Sequence, residues 1–267
     1  MRRRLQNITN RALPILVIVV LIIIWQMVCN AGIIPGYMLP SPIQVGKAFV
    51  SDFPLLMEHT RVTLIEAFLG MGVGVLLGFV VAVLMDAFPL IYKGFYPIVI
   101  ITQTIPTIAI APLLVLWMGY DMAPKVTLVV ITSFFPITVG LLEGLKSADT
   151  DTMNLLKCMG ANRAQIFLHV KLFGALPSFF SGLRISAAYA VVGAVISEWL
   201  GGFLGLGVYM VRVKKSYSFD KMFAVIFLIC FISLLLMKAV DALQVACTPW
   251  ERTKNKRIVE NDNKSKE

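Results

Sequence analysis

An all-α, polytopic membrane protein with about six spanning helices is the fold class this sequence predicts, and three observations predict it. The 267 residues are 58% hydrophobic, with a mean hydropathy of +0.83. A soluble domain of that length would have too little polar surface to cover itself. Several runs reach the ~20 apolar residues that span a bilayer as a helix. The net charge of +9 comes from Lys and Arg flanking those runs, so it concerns membrane orientation rather than nucleic acid.

The elements follow in order. Arg2, Arg3, Arg4 and Arg11 precede the first apolar run, Leu13 to Val28. A signal peptide shares that layout, but the run is long for one and Gln26 to Cys29 is a poor cleavage site. A retained first helix with a cytoplasmic, basic amino end (residues 1–12) is expected. Gly32 to Thr60, with Pro35, Pro40, Pro42 and Pro54, reads as an external loop holding a short amphipathic helix from Pro42 to Phe49. The second span is Val62 to Ala87. Its Gly70, Gly74, Gly78 and Ala82 recur every fourth residue and form one small-residue stripe, which lets helix backbones approach closely in lipid. Glu66 and Asp86 end that stripe. Glu66 can pair, snorkel or line a cavity.

Asp86 to Tyr96 reads as a short turn. The third span, Phe95 to Trp117, contains Thr102, Gln103, Thr104, Pro106 and Pro112. Pro106 frees backbone carbonyls at membrane depth, which is tolerated only against protein or a water-filled cavity. Gln103, Thr104 and Pro106 are therefore the candidate translocation pathway. The alternative is a kinked helix whose freed groups are met by its own Thr side chains. After a tight turn at Gly119 to Lys125, the fourth span covers Val126 to Leu142 around Pro136. The fifth, Pro177 to Leu200, repeats the four-residue spacing at Ser178, Gly182, Ser186, Ala190 and Ala194, and ends on Glu198, a further pathway candidate. Arg184 within it is expected to snorkel or pair. Gly201 to Gly207 superficially resembles a nucleotide loop but follows no strand of a βαβ unit. It reads as a re-entrant or external turn. Arg212, Lys214 and Lys215 precede the sixth span, Met222 to Val245. The membrane-spanning body thus runs over 13–247, and the charged tail over 248–267 is expected to be disordered.

Between the fourth and fifth spans, Ala148 to Pro177 is too polar for lipid, with Asp149, Asp151, Lys157, Arg163, His169 and Lys171. Asp149 or Thr150 can cap a first short helix, with Asp151 in its opening turn. Gly160 ends that helix in the left-handed conformation. Asn162 and Gln165 make a capping box for a second helix, which Gly174 is expected to stop before Pro177 starts the next. Leu155, Leu156 and Met159 share a face. Such a helix is a docking knob for a soluble partner or lies on the lipid headgroups.

This loop resembles the cytoplasmic signature loop of the permease subunits of bacterial ABC importers. Their pattern is Glu-Ala-Ala, three residues, Gly, nine residues, Ile, one residue, Leu-Pro. Here Asn154-Leu155-Leu156, Gly160, Val170 and Leu172 keep the spacing, with Asn154 at the acidic position, leucines for the alanines and Phe173 for the proline. Leu39-Pro40-Ser41-Pro42 resembles the nitrate, sulfonate and thiamine-precursor branch of that family. Glu198-Trp199-Leu200-Gly201, Gly205 to Met210, Gln103 to Pro106 and Ser181-Gly182-Leu183 are most similar to permeases for hydroxymethylpyrimidine, the pyrimidine precursor of thiamine. The resemblance covers about Pro35 to Trp250.

The resemblance implies a type I importer permease fold, and a coupling helix seated in a groove of an ATP-binding subunit. Asp151, Asn154, Leu155, Leu156, Met159, Gly160, Ala161 and Arg163 are its coupling residues. It further implies two copies of that subunit carrying ATP-Mg, a second permease copy as a homodimer, and an extracellular substrate-binding protein. Riboflavin, nitrate, a sulfonate or taurine are alternative cargoes. This chain carries no Walker motif, so ATP is expected on another chain and no cofactor or metal on this one. His59 and His169 are the only histidines and are expected on opposite sides, which leaves no catalytic or metal constellation. A secondary transporter driven through Glu66 and Glu198 is the competing class. Basic residues gather at the amino end, Lys93, the signature loop and the tail, against fewer at Lys47, Arg61, Lys125, Arg212, Lys214, Lys215 and Lys221. That bias places both ends and the loop inside. Cys29, Cys158, Cys230 and Cys247 lack metal spacing and are expected in the core.

Overall fold

The computed structural model describes residues 2–32 and 34–250, with side chains from Leu13 onward. Among the described residues it is all-helical: α1 (Arg2–Asn30), α2 (Pro42–Ser51), α3 (Phe53–Ala87), α4 (Pro89–Thr104), α5 (Thr107–Met118), α6 (Met122–Lys146), α7 (Thr150–Cys158), α8 (Arg163–Ile166), a π turn (Phe167–Leu172), α9 (Phe173–Glu198), α10 (Leu206–Lys215) and α11 (Phe219–Cys247). Five helical stretches are long and apolar enough to cross a membrane, and α4 with α5 makes a sixth candidate bent by 98°.

The core is a trio, with α6 packed between α3 and α9. Small residues set its spacing. A Cβ on Gly74 would lie 3.0 Å from Ser133 Cβ, and one on Gly78 2.8 Å from Ile137 Cγ2. Gly70 likewise meets Val129, and Gly182 meets the Pro136 carbonyl. Ser186 donates to the Ser133 carbonyl at 2.8 Å, next to the Thr132 carbonyl that Pro136, with no N–H, cannot serve. Around the trio, α11 packs on α9 and α2, and Arg184 of α9 pairs with Asp241 at 2.5 Å and donates to Gln244 at 3.0 Å. Helix α1 is peripheral. Its exposed apolar surface faces outward, and Trp25 stacks on Phe227 at 5.8 Å.

Several boundaries differ from the sequence reading. Residues 53–61 are helix rather than loop, because Pro54 sits in the first turn of α3, where its missing N–H is harmless. The turn expected over Asp86 to Tyr96 is a short break, since Pro89 opens α4 in the same way. The third span is two helices rather than one kinked rod. Gly174 does not end α8, nor does Pro177 start a helix. Both lie inside α9, and Gly174 takes no positive φ. The π turn ahead of them carries the chain on, and such turns absorb irregular backbone within a helix. The cysteines are not core residues: Cys158, Cys230 and Cys247 are exposed and Cys29 is half-buried. The expected disordered tail lies, from residue 251, outside the described residues.

The seam between α6 and α9 yields a stability prediction. Gly182→Val lowers the thermal midpoint of the detergent-solubilised protein by several degrees, in line with about 1–3 kcal/mol for overfilling a packed seam. Gly72→Ala meets open space and leaves the midpoint unchanged. Equal midpoints for the two variants would contradict the close approach.

Candidate functional site

Three features carry polar chemistry: a protruding capped helix, a cavity beside the broken span, and a buried cluster at the opposite end of the trio.

The protruding helix is α7. Asp149 caps it, accepting from the backbone N–H groups of Asp151 at 3.1 Å and Thr152 at 3.3 Å and from the Thr152 hydroxyl at 2.5 Å. The Thr152 hydroxyl and the Asp151 N–H hold the Asp149 carboxyl below the usual carboxylate range. At the other end Gly160 takes φ +86°. Its N–H donates to Lys157 and that of Ala161 to Leu156, at 3.0 and 2.9 Å, which is the Schellman pattern. The capping box of Asn162 and Gln165 closes with two bonds of 2.8 Å. No residue of α7 is buried. Asp151, Asn154, Leu155, Met159 and Arg163 are exposed, and Ala161 is half-buried. Leu156 is half-buried too, so it does not share the open face of Leu155 and Met159 as the sequence reading had it. Spaced four apart, those two stand on one face, whereas Leu156 turns about 100° away. Below α7, Lys171 of the π turn grips both oxygens of Asp86 at 2.9 Å. That bond ties the loop to the end of α3.

The cavity follows from the break. After Thr104 the chain turns at Ile105 and Pro106, which is the N-cap of α5. Carbonyls of the last turn of α4 are left without helical partners. Two of α4's carbonyls are met by its own threonines, Thr102 donating to Val99 at 2.6 Å and Thr104 to Ile101 at 2.9 Å. Gln103 instead lines a cavity of about 320 Å³ with Thr102, Thr132, Phe135 and Tyr189. A second cavity of about 390 Å³ continues from it, sharing Gln103, Phe135, Pro136 and Tyr189 and reaching Glu143 and Ser181. Thr104 and Pro106 shape the bend rather than line either space. A threonine serving a freed carbonyl, Thr104 on Ile101, and polar groups on a cavity thus occur together; the Val99 carbonyl lies within the helical ladder of α4.

Glu198 is elsewhere. It sits with Glu66, Lys125, Thr63 and His59, each no more than 5% exposed. Lys125 binds Glu66 at 2.8 Å. Thr63 donates to Glu198 at 2.6 Å. Three consecutive backbone N–H groups then dock on this cluster: Gly205 on His59 Nδ1 at 2.9 Å, Leu206 on the Thr63 hydroxyl at 2.9 Å, and Gly207 on Glu198 at 2.5 Å. These are orphan donors at the start of α10, which has no side-chain cap of its own. Helices α3 and α9 supply the cap instead. Gly205, at φ +130°, and Gly207 leave no room for a Cβ against Glu198. Gly202 lets the preceding loop cross Lys125, whose Nζ would stand 2.9 Å from a Cβ there. Sequence reasoning missed Lys125, counted as a loop charge, and also Tyr189. The signal for the first was Glu66, a carboxylate on a small-residue stripe that required a partner.

Residues 74–253 match the family described as binding-protein-dependent transport system inner membrane component. The chain is 40% identical over 230 residues to a Haemophilus influenzae protein described as a probable ABC transporter permease, covering 86% of this chain and 94% of that one. It is 36% identical over 241 residues to the formylaminopyrimidine transport permease protein ThiX of Halalkalibacterium halodurans, covering 90% and 96%. Its fold matches a chain of the inward-facing MetNI methionine ABC transporter with a TM-score of 0.65 at 22% identity, over 74% of this chain and 98% of that one.

Two outcomes are expected. Lys125→Ala leaves Glu66 buried without its counter-charge, which costs about 3–5 kcal/mol. Replacing the pair by Glu66→Leu with Lys125→Met recovers most of that loss in thermal unfolding, and a double variant no better than the single one would contradict the pairing. For α7, the Asp149 cap is present above the ordinary carboxyl range and is lost as pH falls through its lowered folded value. Intrinsically corrected amide exchange at Asp151 and Thr152 therefore stays flat from neutrality to about pH 4 and rises only below it. Asp149→Asn, which keeps an acceptor oxygen, removes that rise.

Proposed function

The chain belongs to the binding-protein-dependent transport system inner membrane component family, and from that premise we propose that it carries the pyrimidine precursor of thiamine inward as half of a homodimeric ABC importer permease. That the chain is a permease component of an ABC importer in the inner membrane follows from the family itself. The similarity to ThiX, a formylaminopyrimidine transport permease, supports the substrate. Riboflavin, nitrate, a sulfonate or taurine are the other cargoes of the branch the sequence resembles.

In this reading α7 is the coupling helix and faces the cytoplasm, as do both chain ends. Two ATP-binding subunits carry ATP-Mg, and an extracellular binding protein delivers substrate. Leu155 and Met159 enter the groove of the ATP-binding subunit, with Asp151, Asn154 and Arg163 at its rim. Gly160, Ala161 and Leu156 hold the helix at its set angle to the membrane. The pathway runs past Gln103 at the break made by Thr104 and Pro106, while Glu198 holds α10 at the outer mouth rather than touching solute. The observation that carries the importer reading is the exposed α7, capped at both ends and joined by the turn over 159–162 to α8, which runs through the π turn into α9 without a break.

An ion-coupled transporter would require Glu66 and Glu198 to be accessible and exchangeable. Both are 1% exposed, and each is engaged, by Lys125 and by the start of α10 respectively. ATP-driven uptake fits that arrangement better.

Gly160→Pro is expected to abolish ATP-driven uptake in inverted-complex or proteoliposome assays while the chain still inserts, because proline cannot adopt φ +86°. Uptake at the unaltered rate in that variant would contradict the coupling role.

A further inference from the structure

The cavity beside the broken span has an uncommon donor and acceptor set. Gln103, Thr102, Thr132, Phe135 and Tyr189 line it with aliphatic side chains, and no Lys, Arg, His, Asp or Glu is among its lining residues. The adjoining cavity adds one charge, the acid Glu143. The Thr102 and Thr132 hydroxyl protons are committed to the Val99 and Val129 carbonyls, at 2.6 and 3.0 Å. Their oxygens therefore act only as acceptors toward a ligand. The Gln103 amide offers a donor and an acceptor side by side. Tyr189 is 49% exposed and lines both cavities, so a π face stands at their junction. An anion here would lose water and find no cation in return. A planar ring bearing an amino group beside a ring nitrogen finds stacking, an acceptor and a donor.

We infer that Gln103 and Tyr189 form a way-station in the membrane for an uncharged, planar, nitrogen-containing heteroaromatic solute, and that its lining, which holds no cation, disfavours sulfonates and nitrate. This rests on the importer reading above and names residues of that path which select the solute.

The test uses the complete complex of this chain, its ATP-binding subunit and its binding protein in proteoliposomes. ATP-driven uptake of radiolabelled formylaminopyrimidine and of ethanesulfonate is measured beside binding-protein-stimulated ATP hydrolysis. The expected result is pyrimidine uptake that falls about tenfold in Tyr189→Ala, the scale of one lost stacking contact. Tyr189→Phe keeps most of it, Gln103→Leu loses it comparably, and stimulated hydrolysis persists in all three as proof of assembly. Unchanged uptake in Tyr189→Ala and Gln103→Leu overturns the way-station, as does ATP-driven uptake of ethanesulfonate in place of the pyrimidine. The first outcome leaves the proposed cargo and the importer standing; the second overturns the cargo and leaves an ATP-driven importer. Uptake by the unaltered complex that proceeds without ATP overturns the importer reading itself.

Discussion

Lipid offers no hydrogen bonds, and that one constraint decides where this chain is regular and where it breaks. Backbone polar groups at membrane depth must be met by helix, by side chain or by a wet cavity. The long spans α3, α6, α9 and α11 meet the requirement internally except at Pro136 of α6 and Pro177 of α9, which lack an N–H. The break at Ile105 and Pro106 meets it with the Thr104 hydroxyl on the Ile101 carbonyl and an adjoining cavity. The start of α10 meets it with His59, Thr63 and Glu198. Each irregularity has its polar partners close at hand, and those partners are the functional candidates. The buried Lys125 and Glu66 obey the same rule for charge. Neither stands alone, and the pair spans α3 and α6.

Helix packing then fixes where the cavity can be. Glycines every fourth residue bring α3 against α6 along most of their length, and Gly182 and Ser186 bring α9 against α6 from the other side. With three backbones in such contact there is no space inside the trio. The cavity that Gln103 lines lies on its flank, where the 98° bend of α4 and α5 stands beside α6 and α9. Pro136 sits where seam and cavity meet. Its carbonyl touches Gly182, and the residue lines both cavities.

Much of this was legible in the sequence, for physical reasons. Span number, the small-residue stripes, both ends of α7 and the capping box depend on local spacing and on residues with one strong preference, such as Gly160 and Asn162. The polar break was legible because proline and glutamine rarely lie in lipid without cause. What could not be read depends on distant partners. Lys125 looks like a loop charge until Glu66, far away in sequence, is placed beside it. Tyr189 looks like one more apolar-run aromatic until Gln103 is brought across from another span. Glu198 shared a stripe with small residues, and its grip on α10 needed the fold of the Gly201 to Gly207 turn. Gly174 and Pro177 misled because local breaker signals are weak against a helix held by tertiary contacts on both sides.

That last error has a mechanical meaning. Had Gly174 and Pro177 parted two helices, motion of α7 would have reached the membrane through a flexible joint. Instead the helical path runs from Arg163 to Glu198, 36 residues and about 54 Å long. One end joins the capped α7, the middle carries Gly182 and Tyr189, and the far end holds the start of α10. The π turn lies near the α7 end, where Lys171 is also fastened to Asp86 of α3. In the proposed importer, a displacement of α7 reaches α9 through the turn over 159–162 and the α8 segment, beside that bond. The small seam residues of α9 hold it in close backbone contact with α6. Tyr189 and Glu198 move with the same rod, so cavity shape and the seat of α10 are coupled by covalent helix rather than by a chain of side-chain contacts.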